Sequence, residues 1–226
     1  MNTLPVSEKD NSLQISTLSG TEITPGQLAS AIAPLYREAF GESNWEEGFQ
    51  CTTCGKKYRL SAAPAERTCI SCRGSLSECY PLESTIAVLE QELKRTNLRL
   101  MLITDTLPIG FQWGWITDLP SLNKDKLDLS QEAFSQLEST LKSMVPERSA
   151  PDLWFYLSEI GVAPERRGQG LSSLMMKSLM SYVREQNLNM ILRTSTQSEL
   201  YLQLISYQFK EVFAYNDAYQ RVLLIP

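Results

Sequence analysis

A short turn with two glycines offers the clearest place for chemistry. It runs from Arg167 to Gly170, between an apolar segment at 152–157 and an amphipathic pattern that begins at Leu171. Glycines let the main chain approach a ligand closely, and the first N–H groups of a helix have no partner within the helix. These donors and the positive end of the helix dipole bind anions, most naturally a phosphate or a pyrophosphate. The turn therefore predicts an anion site where a strand meets a helix.

Four cysteines form a second chemical group, arranged as two C-x2-C pairs with residues 55–68 between them. They are Cys51, Cys54, Cys69 and Cys72. Each pair aims two thiolates at one point, and two pairs complete a tetrahedron around a metal ion. Gly55 suits the sharp turn that such a knuckle needs. The segment resembles a zinc ribbon or the iron site of rubredoxins, and disulfides are the weaker interpretation in a chain without histidine.

This predicted metal site is structural rather than catalytic. Four thiolates saturate zinc, whereas a catalytic zinc keeps an open position. The ion can contribute on the order of 10 kcal/mol to folding a segment with little core of its own. Three further roles stay open for the segment: bordering a substrate site, docking a protein partner or a second copy of the chain, or touching nucleic acid through Lys56, Lys57 and Arg59. Cys79 is interpreted as a packed thiol.

The elements around the turn are predicted from their periodicity. Residues 152–157 are too apolar to alternate and predict a strand buried on both faces. Elsewhere, helix-start signals occur at Thr24 and Thr196, and Pro34 should kink or split the first helix. The pattern predicts further strands at 12–17, 98–104, 109–117, 189–194, 210–215 and 219–225, and helices at 24–41, 84–97, 130–145, from 171 onwards and at 196–207.

The segment from Val162 to Ser172 resembles the cofactor-binding motif of the GNAT superfamily of acetyl-CoA-dependent N-acetyltransferases. That motif reads Arg/Gln-x-x-Gly-x-Gly/Ala and maps onto Arg167, Gly170 and Ser172. Ser replaces Gly or Ala at the last position, but it is small and keeps its N–H group. We therefore expect the anion site to survive the change.

The order of elements matches the same family once the cysteine-containing segment and the helix at 130–145 are set aside. The resemblance implies an α/β (α+β) fold in which a mixed sheet is flanked by helices. Residues 1–41 and 83–226 are then the GNAT-like acetyltransferase domain, and residues 42–82 are an inserted zinc-ribbon-like module.

The resemblance also implies acetyl-CoA as the co-substrate. Its pantetheine arm is expected to pair with the main chain of Ile160, Gly161 and Val162. Its pyrophosphate is expected on the turn, whose predicted binding residues are Arg167, Gly168, Gln169, Gly170, Leu171 and Ser172. The implied reaction moves an acetyl or other short acyl group directly to the primary amine of a small molecule or a protein.

Glu159 is the predicted base for that reaction. An amine with a pKa of about 10.4 must lose a proton before it attacks, and holding it neutral at pH 7 costs roughly 4.6 kcal/mol. Many GNAT enzymes carry an acidic residue at the position of Glu159, three residues before Val162. A carboxylate in an apolar strand is also expensive without a role or a partner. The alternatives are an ion pair with Arg193 and simple solvation.

The general acid is harder to assign. The family often uses a tyrosine that aligns with Leu204 here, and Tyr201 and Tyr207 flank that position. Either tyrosine is a candidate to protonate the CoA thiolate, although a packed aromatic explains each of them equally well. The departure at Leu204 supports an alternative function, a catalytically weak or inactive CoA-binding module that docks a protein partner through its zinc ribbon.

Composition narrows the setting. The net charge of −5 argues against general nucleic-acid binding, which needs clustered Lys and Arg. No apolar run approaches the roughly 20 residues that span a bilayer. Residues 1–10 lack the basic start and apolar stretch of a signal peptide. We therefore expect a cytoplasmic enzyme that does not bind membranes.

Overall fold

A mixed sheet of seven strands carries the glycine turn. The computed structural model describes residues 13–19, 22–43, 46–145, 153–217 and 220–226. In chain order the elements are β1 (Gln14–Ser19), α1 (Pro25–Gly41), β2 (Phe49–Cys51), β3 (Lys57–Tyr58), β4 (Leu76–Glu78), α2 (Leu82–Leu93), β5 (Leu98–Asp105), β6 (Leu107–Asp118), α3 (Leu119–Leu122), α4 (Gln131–Met144), β7 (Leu153–Val162), α5 (Leu171–Glu185), β8 (Asn189–Ser195), α6 (Glu199–Ser206), β9 (Lys210–Ala214) and β10 (Arg221–Ile225).

The strand order of the large sheet is β1-β5-β6-β7-β8-β10-β9. Neighbouring strands are antiparallel, except that β7 and β8 are parallel. A parallel pair needs a crossover connection, and α5 supplies it. This architecture confirms the predicted α/β fold with a mixed sheet flanked by helices.

Helices cover both faces of the sheet and bury two apolar clusters. One cluster joins α1 and α2 to the sheet and includes Ile32, Leu89 and Phe111. The other lies under α5 and α6 and includes Met176 and Leu204, both fully buried. Because the sheet is covered on both faces, its central strands lack alternation, as the aromatic run at the start of β7 predicted.

Strands β7 and β8 pair only over their first halves. Their register runs from Trp154 opposite Asn189 to Leu157 opposite Leu192. Beyond that point β7 continues to Val162 with β6 as its partner, whereas β8 continues beside β10. The two strands therefore diverge and leave an opening between them.

A β-bulge lies at the same point of β7. Trp113 of β6 pairs with Glu159, but the next residue, Gly114, pairs with Leu157, so Ser158 is an extra residue. A bulge bends its strand and redirects the side chains that follow. Here the bulge sets the direction of Glu159 directly after the point of divergence.

A second, three-stranded sheet in the order β3-β2-β4 lies in the segment with the cysteines. Its small core comprises Phe49, Cys51, Tyr58 and Cys69. So few buried side chains give little hydrophobic stabilisation, which agrees with the predicted need for a metal.

The predicted elements are confirmed in type and order where the chain is described, and several of their ends differ. The strand predicted at 152–157 extends to Val162, and the helix predicted at 84–97 spans Leu82–Leu93. Of the two alternatives predicted for Pro34, a kink or a split of the first helix, the split is excluded because α1 is continuous. Pro34 is exposed, so water can replace the hydrogen bond that its missing N–H removes.

One predicted helix cap is confirmed in position and the other is wrong. Thr24 is the N-cap residue of α1, although its hydroxyl makes no capping hydrogen bond. The hydroxyl of Thr196 bonds Gln220 at 3.0 Å, and Ser198 instead caps α6 by accepting the Tyr201 N–H at 3.0 Å. Both Thr196 and Ser198 are residue types that cap helices. Only the tertiary contact of Thr196 with Gln220 distinguishes the residue that caps α6 from the one that does not.

Within the described ranges, no helix combines the length and the apolar character needed to cross a membrane.

The bulge predicts a strict requirement for glycine at position 114. A Cβ there would lie 2.2 Å from the Tyr156 carbonyl oxygen and 2.6 Å from the Phe155 ring. We expect Gly114→Ala to lower the free energy of unfolding by about 1–3 kcal/mol, as overpacking does, in urea denaturation. The matched control is Gly26→Ala in α1, where the nearest atom is 4.0 Å away. Equal stability of the two variants would contradict the prediction.

Candidate functional site

A cavity of about 240 Å³ opens where β7 and β8 diverge. Five segments of the chain contribute to its walls. They are residues 157–162 of β7, parts of 166–172, residues 192–194 of β8, parts of 198–203 at the start of α6, and Ala39, Phe40 and Ser43 at the end of α1. The opening in the sheet and the predicted anion site therefore belong to one cavity.

The edge of β7 that faces this cavity is main chain without a strand partner. Ile160, Gly161 and Val162 pair with β6 on one side, and β8 has already turned away on the other. Gly161 is required here because a Cβ would lie 2.3 Å from the ring of Phe111. The segment can therefore accept an extended ligand as though it were a strand.

The glycine turn presents main-chain donors to the same cavity. Gly168 and Gly170 have φ angles of 76° and 80°, which favour glycine, and a Cβ at either would meet no atom within 4 Å. The first hydrogen bond of α5 runs from the Leu174 N–H to the Gly170 oxygen, at 3.0 Å. The N–H groups from Gly170 to Ser173 precede that bond and have no acceptor inside the helix. Open space beside free donors fits an anion such as a pyrophosphate.

The two arginines of the turn are engaged with protein groups. Arg167 donates to the carbonyl oxygens of Ala39, at 2.8 Å, and Glu42, at 3.1 Å. Arg166 forms an ion pair with Asp105. The side chain of Arg167 thus caps the end of α1, and the attraction of this site for anions comes first from the main chain and the helix dipole.

Ser172, the departure from the motif, fits between two helices. Its hydroxyl donates to the side-chain oxygen of Gln203 at 3.2 Å, and the amide nitrogen of Gln203 donates to the Ser173 hydroxyl at 2.8 Å. These bonds tie the start of α5 to α6. Because they use only side chains, the Ser172 N–H stays available to a ligand.

Glu159 lines the cavity with a half-buried carboxyl group. Among the described residues, none forms a hydrogen bond or an ion pair with this group. Desolvation raises the pKa of Glu159 to about 8, against the lowering effect of nearby Lys126. Glu92 raises it further and Arg193 opposes the rise. A base whose pKa lies near neutral pH is well matched to proton transfer.

The ion pair between Glu159 and Arg193, one alternative to a catalytic role, is not formed. Arg193 instead donates to the Lys126 carbonyl oxygen at 2.6 Å. Lys126 in turn places its ammonium group 2.9 Å from Glu92. The nearby cations are therefore held by other groups, which leaves the carboxyl of Glu159 facing the cavity.

Several charged and aromatic groups around Glu159 could not be identified from the sequence. Tyr36, Tyr80 and Glu47 lie near enough that their charges and that of Glu159 affect one another. The Tyr80 hydroxyl donates to Glu47 at 2.5 Å. These residues come from α1 and from the segment with the cysteines, and no local sequence pattern connects them with β7.

Neither tyrosine predicted as a general acid lines the cavity. Tyr201 hydrogen-bonds Glu211, which raises its pKa, and Tyr207 accepts a bond from Gln203 at 3.3 Å. Leu204, at the position where the family often has tyrosine, is fully buried in the core. Two buried residues with hydroxyl side chains line the cavity instead.

These two hydroxyl groups, which sequence reasoning missed, belong to Thr194 and Ser198. Their oxygens are 2.8 Å apart, and both residues line the cavity. The large aromatic side chains of β6 and β7 belong to the core: Phe111, Trp113, Trp115 and Trp154 are at most 4% exposed.

The four predicted metal ligands come together in space. All four sulfur atoms lie within 4.8 Å of one another. Cys51 and Cys72 are separated by 3.4 Å, and Cys54 and Cys69 by 3.7 Å. Thiolates at 2.3 Å from a zinc ion in a tetrahedron would be about 3.8 Å apart. The cluster therefore suits a tetrahedral metal ion in its ligand type, number and spacing.

Hydrogen-bond donors lower the pKa of Cys51 and Cys69. Against the lowering effect of the Gly74 N–H, hydrogen bonds with Cys51 and Cys54 raise the pKa of Cys72 to about 12. The Tyr58 hydroxyl lies 3.1 Å from the Cys69 sulfur and lowers the pKa of that thiol to about 6. The N–H of Thr53 donates to Cys51 and that of Gly74 donates to Cys72, each at 3.4 Å. All five cysteines are free thiols, including Cys79, whose pKa is raised by burial.

A protein-family model matches the part of the chain that forms most of the cavity walls. Residues 143–203 match the model of the Acetyltransferase (GNAT) family. This range contains β7, the glycine turn, α5, β8 and the first part of α6. The match confirms GNAT acetyltransferase sequence over these residues and the predicted enzyme class, an acyltransferase. No curated protein matches the chain.

The chain is similar to several solved structures. One is the PaiA N-acetyltransferase of Thermoplasma acidophilum in complex with coenzyme A, with 11% identity, coverage of 95% of this chain and 98% of that chain, and a TM-score of 0.49. Arabidopsis thaliana NAA60 in complex with a bisubstrate analogue is 10% identical, with coverage of 94% and 98% and a TM-score of 0.48. Ard1 of Thermoplasma volcanium is 15% identical, with coverage of 95% and 97% and a TM-score of 0.46.

The raised pKa of Glu159 predicts a characteristic pH dependence of stability. Between pH 4.5, the ordinary value, and about 8, the folded protein keeps a proton that the unfolded chain has released. The free energy of unfolding therefore falls as pH rises through this window. We expect Glu159→Gln to remove that fall. The free energy of unfolding of the variant relative to the wild type, measured by urea denaturation, should therefore be higher at pH 8.5 than at pH 5.

The control for this measurement is Glu66→Gln, a replacement of an exposed glutamate that should follow the wild type. A wild type and a Glu159→Gln variant with parallel pH profiles would mean that the carboxyl titrates as in water.

The cysteine cluster predicts one metal ion per chain. We expect elemental analysis of purified protein to find about one equivalent of zinc or iron. Cys69→Ser should lose the ion and lower the melting temperature, because the module has little other core. Cys79→Ser is the matched control and should keep the metal. A metal content unchanged by Cys69→Ser would rule out this site.

Proposed function

We propose that the chain transfers an acetyl or other short acyl group from acetyl-CoA to a primary amine by direct attack. The observation that carries this proposal is the single cavity that combines an unpaired strand edge, free helix donors and a carboxyl of raised pKa. No covalent enzyme intermediate is needed, and no cysteine lines the cavity.

The co-substrate would be held mainly by main-chain groups. The edge from Ile160 to Val162 binds the pantetheine arm, and the N–H groups from Gly168 to Ser172 bind the pyrophosphate. Acetyl-CoA supplies the activated thioester. The support for this assignment is the free strand edge and the open space at Gly168 and Gly170.

Glu159 is the proposed base. At neutral pH a group with a pKa of about 8 is ionised in roughly a tenth of the molecules, and it can accept a proton from the ammonium form of the acceptor. The neutral nitrogen then attacks the thioester carbonyl carbon. The carbon–sulfur bond breaks, an amide forms, and the thiolate leaves with the bonding electron pair. The proton held by Glu159 passes to solvent.

The departing thiolate needs a hydrogen-bond donor more than a strong acid, because it is a good leaving group. We assign this role to a water molecule bound at Thr194, in place of Tyr201 and Tyr207, because the Ser198 hydroxyl already donates to the Ser195 carbonyl oxygen at 2.8 Å. The support is that Thr194 lines the cavity and that neither tyrosine does.

The cysteine site completes the proposal. We propose that residues 42–82 form an inserted zinc-ribbon-like module with a structural zinc ion on four thiolates. Residues 1–41 and 83–226 form the acetyltransferase domain, and the setting is the cytoplasm, where thiols stay reduced. The acceptor is a small-molecule amine or a protein amine.

The function is tested by measuring CoA release with acetyl-CoA over a panel of polyamines, aminoglycosides, amino acids and lysine peptides. We expect turnover with at least one class and a decrease of about 10²–10⁴-fold in kcat for Glu159→Gln, typical of the loss of a general base. Glu66→Gln should keep wild-type turnover.

The outcomes separate two functions. Binding of acetyl-CoA without turnover on any amine would favour the alternative of a CoA-binding module that docks a partner. Full activity of Glu159→Gln would keep the enzyme but remove the proposed base.

A further inference from the structure

We infer that the cysteine module is a brace for the acetyl-CoA site, acting through the end of α1 and the side chain of Arg167. The inference rests on the proposed function, because it concerns the same cavity. It assigns a positioning role to Arg167 and Glu42, and it gives the metal a role in cofactor affinity beyond folding of the module.

The first link joins the glycine turn to α1. Arg167 donates to the carbonyl oxygens of Ala39 and Glu42, at 2.8 and 3.1 Å. These are carbonyl groups at the end of a helix, which have no partner inside the helix and suit a guanidinium donor. The position of the turn is therefore tied to the position of the last residues of α1.

The second link joins the end of α1 to the module. The Leu60 N–H donates to the Gly41 oxygen at 3.1 Å. Glu42 accepts two bonds from Ser61, from its N–H at 2.6 Å and from its hydroxyl at 2.7 Å. A Cβ at Gly41 would lie 2.6 Å from a methyl group of Leu60, so the two segments are in direct contact.

The third link runs from that contact to the metal ligands. Leu60 and Ser61 come two and three residues after Tyr58, the buried last residue of β3. The Tyr58 hydroxyl bonds the Cys69 sulfur at 3.1 Å, and its main-chain oxygen accepts the Gly48 N–H at 3.0 Å. The position of residues 60 and 61 thus depends on the order of the cysteine cluster.

A second attachment holds the module against the same helix. Arg37 of α1 donates to the Tyr80 oxygen at 2.7 Å and forms an ion pair with Glu78 at 2.9 Å. Tyr80 also bonds Glu47, which lies within electrostatic range of Glu159. Two points of attachment on one helix fix its rotation as well as its position, and Ala39 and Phe40 of this helix line the cavity.

These links predict energetic coupling between the metal site of the module and the acetyl-CoA site. If the metal orders the module and the module orders α1 and the turn, acetyl-CoA binds a turn that is already in place. Losing the brace adds an ordering cost to binding, which weakens it. Coupling is reciprocal, so the cofactor must also strengthen metal binding by the same factor.

The test is calorimetric titration of acetyl-CoA into the full chain, with metal content measured on each sample. We expect the double variant Arg37→Ala/Glu42→Ala to retain its metal and to bind acetyl-CoA roughly tenfold more weakly, within the usual range of coupling energies. Glu66→Ala, an exposed glutamate of the same module, is the matched control and should bind like the wild type.

Arg167→Lys separates positioning from charge. Lysine keeps the positive charge but cannot donate to two carbonyl groups in a fixed geometry. We expect a loss of affinity similar to that of the double variant. Combining Arg167→Lys with Arg37→Ala/Glu42→Ala should add little, because both changes break one path.

Competition with a zinc chelator supplies a readout that does not depend on activity. Saturating CoA should slow or reduce zinc removal from the wild type, and the effect should disappear in Arg167→Lys.

Three results are distinguishable. Wild-type affinity in the metal-loaded double variant, or in Arg167→Lys, would overturn the brace while leaving the proposed enzyme intact. Loss in Arg37→Ala/Glu42→Ala and Arg167→Lys that is fully additive would also overturn it, because independent effects need no common path. Absence of any CoA binding by the wild type would instead defeat the proposed function.

Discussion

The site depends on one strand that keeps a hydrogen-bond partner on a single side. After Leu157, β7 remains paired with β6 but loses β8, and a buried sheet rarely leaves main-chain groups unpaired. The loss is tolerated because the unpaired edge borders a cavity instead of apolar side chains. The bulge at Ser158 and the start of α5 lie at the two ends of this edge, so donors, acceptors and the Glu159 carboxyl converge there.

Burial explains why Glu159 differs from the other carboxylates of the site. Glu47 and Glu92 each have a cation within 3 Å, whereas Glu159 has no such partner among the described residues. A lone carboxyl in a poorly solvated position holds its proton to higher pH. Lys126 and Arg193 lie near enough to limit that rise. The pKa thus reflects burial together with four charged side chains around this carboxyl group.

Much of the fold and part of the site could be predicted from local sequence. The apolar run before Arg167 and the helical spacing after Leu171 determine the strand, the turn and the helix, and the C-x2-C spacing brings four sulfurs together. Contacts between distant segments could not be predicted. From the sequence alone, Arg167 could bind either a phosphate or a protein group. Only the packing of α1 against the turn determines that it donates to main-chain carbonyl groups. The hydrogen bonds of Tyr201 to Glu211 and of Tyr207 to Gln203 are contacts of the same kind.

Recognition through the main chain also affects how such a protein can evolve. A strand edge and the first turn of a helix offer the same N–H and C=O groups whatever side chains they carry. Ile160 and Val162 can be exchanged for other β-formers, and the geometry of the pocket persists as long as the bulge and the two turn glycines do. Mutational drift can therefore erase most residue identities in this fold while the binding groove is inherited unchanged.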